Sequence, residues 1–209
     1  MAPDDLRDLI ARSAATIAAH EEELTSLDRA IGDGDHGANM KRGFSAVAEQ
    51  ADALAGLPLG EALQKAGMTL IMKVGGASGP LYGSLLMAMG KALPDGGPAD
   101  LAGVAAMLAA GVEAVKARGK SDAGAKTMLD VLVPLARALQ SADAGTAAAA
   151  AIATARRTAD EALAATRDMK ATKGRASFLG ERSIGHLDPG ARSSALLVHA
   201  ACDFLEDRS

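Results

Sequence analysis

The stretch Leu27-Asp-Arg-Ala-Ile-Gly-Asp-Gly-Asp-His-Gly-Ala-Asn-Met-Lys-Arg-Gly-Phe44 decides how the rest of the chain is read. Asp28, Asp33 and Asp35 are interleaved with Gly32, Gly34 and Gly37. Glycine removes side-chain bulk and tolerates positive φ, so the backbone can fold tightly here and bring three carboxylates towards one point. Two carboxylates about 4 Å apart repel by roughly 4 kcal/mol at an effective dielectric near 20. Three of them need a counter-charge, and an all-oxygen donor set suits a hard divalent cation such as Mg²⁺ or Ca²⁺. A calcium EF-hand loop is excluded. Counted from Asp33, the glycine position holds Ala38 and the bidentate glutamate position holds Phe44. The competing reading is an acidic turn whose aspartates cap the next helix. Three acids, His36 and Asn39 in one tight segment favour the metal site.

Outward from this segment, 209 residues are enough to bury a real core, and a hydrophobic share of 49% excludes a disordered or fibrous chain. A net charge of −4 speaks against general nucleic-acid binding. Aromatics make up 2%, with no Trp, which leaves little to stack on bases or to anchor in a membrane interface. Alanine, the best helix former, dominates instead. Cys202 is the single cysteine and lies in an apolar run, so it reads as a buried inert thiol. No basic, apolar leader opens the sequence and no run is long enough to span a bilayer, so a soluble cytoplasmic protein is expected.

Periodicity then gives helix after helix and no strand. Helices are expected over about 4–27, with Leu6, Ile10, Ala14, Ile17 and Leu24 as the apolar stripe, then over 39–54, 59–73, 80–93, 99–118, 125–141, 145–172 and 191–206. Pro94-Asp-Gly-Gly-Pro98 is the clearest loop. It is a candidate boundary, but motif-like loops lie on both sides of it, so one domain over residues 1–209 is preferred. Sequential helices with short loops predict an all-α, up-and-down antiparallel eight-helix bundle or barrel.

Three further loops carry information. Lys73-Val-Gly-Gly-Ala-Ser-Gly-Pro-Leu-Tyr-Gly83 offers unobstructed amides, a Ser78 hydroxyl expected to cap the next helix, and a positive helix end. Together these make an anion cradle. Arg118-Gly-Lys-Ser-Asp-Ala-Gly-Ala-Lys-Thr127 mimics a Walker loop, but Ala125 separates Gly124 from Lys126 and a helix precedes it, so the match is a decoy. Met128 then opens a helix and is core by default. Lys173 to Gly190 is a long polar connection carrying Arg175, Arg182, His186 and Asp188. Arg175 could clamp a phosphate, and Asp188-Pro-Gly190 reads as a turn before the last helix. In an up-and-down bundle these three loops and the acidic loop share one end. A metal, an anion cradle and an arginine on one rim describe a Mg²⁺-nucleotide site for phosphoryl transfer.

Gly32-Asp-Gly-Asp-His-Gly37, Gly75-Gly-Ala-Ser-Gly-Pro80, Gly174-Arg-Ala-Ser177 and Asp188-Pro-Gly190 resemble the L subunit of dihydroxyacetone kinase. The resemblance runs from the first helix to the last. It implies an eight-helix antiparallel barrel with the nucleotide site at one end. It also implies two Mg²⁺ ions on Asp28, Asp33 and Asp35, and ADP or ATP contacted by His36, Gly37, Ala38, Asn39, Ala77, Ser78, Gly119, Met128, Arg175, Asp188, Pro189 and Gly190. Gly34 and Lys73 depart from the family pattern at positions that carry no ligand. In that family dihydroxyacetone sits on a K subunit, and the free-standing form looks like the phosphotransferase-dependent one, in which resident ADP is rephosphorylated by a phosphohistidine on an M subunit. The implied partners are therefore the K and M subunits; beside them a homodimer is a candidate assembly, and no nucleic acid or membrane is expected. Two other readings stand beside this one: an ATP-exchanging L subunit for another small keto-sugar, and a non-catalytic Mg-nucleotide regulatory module.

Overall fold

Apolar residues recur at three- and four-residue spacing through most of the chain, and among the described residues it folds into helices with no strand. The computed structural model describes residues 1–94, 97–98, 100–143 and 145–208, so the expected Pro94–Pro98 loop lies partly outside the described residues. The α-helices are α1 (Pro3–Ala19), α2 (Glu21–Ile31), α3 (His36–Ala48), α4 (Ala51–Ala55), α5 (Leu59–Lys73), α6 (Ser78–Ala92), α7 (Leu101–Gly119), α8 (Leu129–Gln140), α9 (Ala148–Ala165) and α10 (Pro189–Glu206). Two 3-10 segments, Thr166–Asp168 and Arg175–Ser183, lie between α9 and α10.

The helices follow one another around a closed ring. α3 packs on α1, α5 on α3, then α6, α7, α8, α9 and α10 each on its predecessor, and α10 returns to α1. Ile17, Leu24, Met40, Leu70, Val115, Leu129 and Leu196 fill the middle. With few aromatics the core depends on aliphatic packing, and the one aromatic pair among the described residues is Phe44 edge-on to Tyr82, with centroids 6.5 Å apart. α5 and α6 approach main chain to main chain. A Cβ on Gly67 would stand 2.6 Å from the Gly83 carbonyl, and one on Gly83 equally close to that of Gly67. Cys202 is buried, as its apolar surroundings implied, and burial pushes its thiol pKa up.

Several boundaries differ from the expectation. The first helix breaks at His20, whose main chain bonds to Ile17 and whose ring Nδ1 takes over the Thr16 carbonyl at 2.8 Å. A side chain thus replaces a lost main-chain bond, which periodicity does not register. The helix then runs on to Ile31, so Asp28 sits on α2 rather than in the loop. The second expected helix begins three residues early, at His36, and divides around Glu49 and Gln50. The long seventh helix stops at Ala165, well short of residue 172. No helix among the described residues is long and apolar enough to cross a membrane.

Candidate functional site

The connections that follow α2, α5, α7 and α9 meet at one end of the ring and line a single open cleft. One wall is the acidic turn. Oxygens of Asp28, Asp33 and Asp35 lie within 4.8 Å of one another, the one such cluster among the described residues. Its geometry rests on two glycines. A Cβ on Gly32 would fall 2.0 Å from Asp28 Oδ1, so only glycine leaves room for that carboxylate. Gly34 takes φ +76, the left-handed region that other residues rarely adopt.

The three acids are used differently. Asp28 is buried, and its Oδ2 accepts from the amides of Asp35 at 2.9 Å and His36 at 3.1 Å. Asp28 therefore caps α3 from across the turn. Asp35 occupies the N-cap position yet makes no capping bond with its own side chain. Its carboxylate and the free oxygen of Asp28 remain for a cation. Asp33 meets Arg175 at 3.0 Å, a pair in which the arginine is largely exposed. Asp28 thus caps α3 with one oxygen and leaves the other beside Asp33 and Asp35. The oxygen-only donor set and the space held open by Gly32 fit a small hard cation.

The opposite wall is electropositive. The cleft is lined by His36, Ser78, Met128 and Pro189, which stand at or next to the N-termini of α3, α6, α8 and α10. Asp28, Asp130 and Asp188 already accept from amides at or next to the starts of α3, α8 and α10, so the unclaimed N–H groups are those at the start of α6, which has no side-chain cap, and the four partial positive ends together favour an anion. Arg175 and Lys173 also line it, as does Lys126, whose ammonium is spent on the Met169 and Ser183 carbonyls. Acids able to bind a cation thus face a cradle for a polyanion.

Buried polar contacts hold the walls together. His36 Nδ1 lies 3.1 Å from Ser78 Oγ and its Nε2 lies 2.9 Å from Ser193 Oγ. Ser78 therefore does not cap α6, as expected, but spends its hydroxyl on His36. Burial lowers the His36 pKa, against the opposing charges of Asp28 and Asp35, which favours the neutral ring. Tyr82 Oη bonds to Ser193 and Ser194, each at 2.8 Å, and donates to the Gly190 carbonyl at 3.2 Å. Its burial pushes the phenol up to about 12. Asp188 is buried and caps α10 through the Ala191 amide at 2.7 Å. Burial pushes its carboxyl up to about 7, with Asp130 adding to the effect and Lys126 opposing it.

That shift has a testable consequence. The folded pKa lies above the ordinary 3.8, so the contribution of Asp188 to stability is full below that value and is lost as pH rises through about 7. Between pH 5.5 and 8, metal-free protein should lose about 2 kcal/mol from this group, roughly 5 °C in Tm. Asp188→Asn keeps an acceptor for the cap and should flatten the trend. Parallel Tm profiles for the two proteins would contradict the assignment.

Of the residues singled out from the sequence, His36, Ala77, Ser78, Met128, Arg175, Asp188, Pro189 and Gly190 line the cleft with the three aspartates. Gly37 lies in the first turn of α3 against the Glu21 carbonyl and Thr25, and Ala38 is exposed on that turn. Asn39 is buried beneath Gly75, its Oδ1 accepting from Arg42 at 2.7 Å. Gly119 ends α7, where a Cβ would rest 3.4 Å from the cleft residue Leu81. Sequence reasoning missed Tyr82, Ser193, Lys126 and Asp130. Tyr82 reads as core, Ser193 as helix surface, and Lys126 as part of a decoy motif; no local signal marks them.

Comparison with known proteins follows the same lines. A family model described as the DAK2 domain matches residues 30–203. The ADP-binding subunit of PEP-dependent dihydroxyacetone kinase 1 from Listeria innocua is 48% identical over 184 residues, covering 88% of this chain and 87% of that protein. The ADP-binding subunit of the PEP-dependent dihydroxyacetone kinase of Escherichia coli is 44% identical over 190 residues, covering 90% of each. Among solved structures, the dihydroxyacetone kinase from C. freundii in complex with AMP-PNP and Mg²⁺ superposes with a TM-score of 0.73 at 24% identity, over 95% of this chain. This chain spans 33% of that one, and the likeness establishes the fold.

Proposed function

The chain belongs to the DAK2 domain family, and on that premise we propose that it is the ADP-binding subunit of a phosphoenolpyruvate-dependent dihydroxyacetone kinase, a single nucleotide-binding domain over residues 1–209. The observation that carries this reading is the pairing within one cleft of a three-carboxylate cluster with four helix N-termini and Arg175. Such a cleft suits a diphosphate or triphosphate accompanied by Mg²⁺, and suits neither partner alone.

Asp28, Asp33 and Asp35 would hold Mg²⁺, two ions by the family resemblance. The metal would neutralise phosphate charge and orient the phosphoryl group. Residues of this chain do the rest. Main-chain amides at the start of α6 would donate to the phosphate oxygens, with His36, Ala77, Ser78 and Asp188–Gly190 lining the site, while Gly37, Ala38 and Asn39 join the contacts by the family resemblance alone. Arg175 can leave Asp33 and donate to phosphate as a fork. Met128 and Gly119 would line the base end, and Ile31, Leu81 and Met128 keep water from the cleft. No side chain serves as a covalent nucleophile, because phosphoryl transfer is mostly positioning and charge compensation. The phosphoryl group would come from the phosphohistidine of an M subunit and leave to dihydroxyacetone on a K subunit.

Calorimetry of the purified chain should show ADP binding that requires Mg²⁺. Mass spectrometry of nucleotide released on denaturation should find ADP. Addition of K and M subunits with a phosphoryl donor should yield phosphorylated dihydroxyacetone. A chain that binds no ADP in Mg²⁺ would refute the proposal. An empty site that exchanges ATP freely would favour the nucleotide-exchanging form.

A further inference from the structure

Lys126 is the largest fully buried side chain among the described residues, 1% exposed. Two costs attach to it. Its backbone sits at φ +62, a left-handed conformation that costs a non-glycine residue on the order of 1 kcal/mol. Its ammonium is removed from water with no carboxylate in direct contact, and burial lowers its pKa. A glycine would carry neither cost.

The local fold imposes this position. Asp130 is buried at the start of α8, and its carboxylate accepts from the amides of Gly124 at 2.5 Å and Thr127 at 2.7 Å. Those bonds wind residues 124–127 around Asp130 and turn Lys126 inward. Nζ then donates to the carbonyls of Met169, at 3.1 Å, and Ser183, at 2.5 Å. These carbonyls bracket the segment that presents Arg175 to the cleft. Beyond the Arg175–Asp33 ion pair and the packing of Ala171, Ala176 and Leu179 on Ile31, few other bonds fasten that segment. The Thr172 amide donates to the Ala125 carbonyl at 3.1 Å, the Ala171 amide to Ser183 Oγ at 2.9 Å, and the Gly185 amide to the Arg167 carbonyl at 2.8 Å. The Lys170–Glu181 pair is exposed and so contributes little. Gly174, Gly180 and Gly185 all take positive φ, which places three permissive joints in or beside the segment.

We propose that Lys126 is a positioning residue whose ammonium ties residues 169 and 183 to the α7–α8 connection and so holds Arg175 over the cleft. This rests on the nucleotide-binding function proposed above. Lys126 would act through Arg175 and need not touch the ligand.

Lys126→Met keeps the length of the side chain and removes its donors. In Mg²⁺ it should weaken ADP binding roughly tenfold, about 1.4 kcal/mol, and speed tryptic cleavage after Lys173, Arg175 or Arg182. In an Arg175→Ala background the same substitution should cost roughly threefold or less, because the residue it positions is gone. A general loss of structure would not produce that non-additivity. Unchanged affinity and cleavage, or losses that simply add, would overturn the proposal. Should Lys126→Met fail to fold, hydrogen exchange on wild-type, metal-free protein decides: the amides of Ala171, Thr172 and Gly185 should be protected, and exchange at solvent rates would overturn the clamp. Should wild type bind no ADP in Mg²⁺, the function falls, and cleavage and exchange still judge the clamp.

Discussion

Asp33→Ala should abolish Mg²⁺-dependent ADP binding, with an affinity loss of roughly a hundredfold or more, while helical content by circular dichroism stays that of wild type. The size follows from charge. A carboxylate near 4 Å from a unit cation contributes roughly 4 kcal/mol at an effective dielectric near 20, and a divalent ion doubles the interaction before solvation opposes it. Asp28 cannot make up the loss, since its Oδ2 is committed to the amides of Asp35 and His36. The fold should survive because Asp33 is exposed, and its one ion pair among the described residues is with a largely exposed arginine. The sign should reverse when EDTA removes the metal. With one carboxylate gone and Arg175 released, bare ADP should bind no worse than to wild type, and better at low salt. Calorimetry with Mg²⁺ and with EDTA reads both arms. Equal Mg²⁺-dependent affinity in mutant and wild type would remove the aspartate cluster from the site.

Gly32→Ala should come close to that effect without touching a charge. Its added methyl would lie 2.0 Å from Asp28 Oδ1 and 3.0 Å from the Asp28 carbonyl, so the carboxylate has to move. Moving it breaks two hydrogen bonds that cap α3, one of them buried, and shifts an oxygen of the carboxylate cluster. We expect a stability loss of about 1–3 kcal/mol in urea titration together with a loss of Mg²⁺-dependent ADP affinity of roughly tenfold or more. Gly56→Ala is the control. At φ −79, with no atom nearer than 3.7 Å to the new methyl, it should be neutral or stabilise by about 0.4–1 kcal/mol. If the two variants behave alike, the close packing around Gly32 has been misread.

Much of the site could be read from the chain alone, and the reason is range. The three aspartates lie within one turn, so their convergence depends on a few dihedral angles and on the glycines between them. The all-helical class follows from periodicity, and the inert Cys202 from its apolar neighbours. Boundaries were less legible. The break at His20 depends on an imidazole bonding a carbonyl one turn back, and the early start of α3 depends on Asp28 capping it from across the turn. The Walker-like run is preceded by a helix rather than a strand, and Lys126 within it has a place that spacing does not suggest.

Helical content, the convergence of three carboxylates in the acidic turn and the presence of glycine-rich loops were determined by the sequence, because each depends on residues within a few positions of one another. Only the tertiary structure decided that the starts of α3, α6, α8 and α10 face the same cleft, that His36 joins Ser193 across 157 positions, and that Lys126 reaches carbonyls 43 and 57 residues away. Those meetings depend on how the helices close into a ring, and ring closure is set by core packing summed over the whole chain, which no short window of sequence contains.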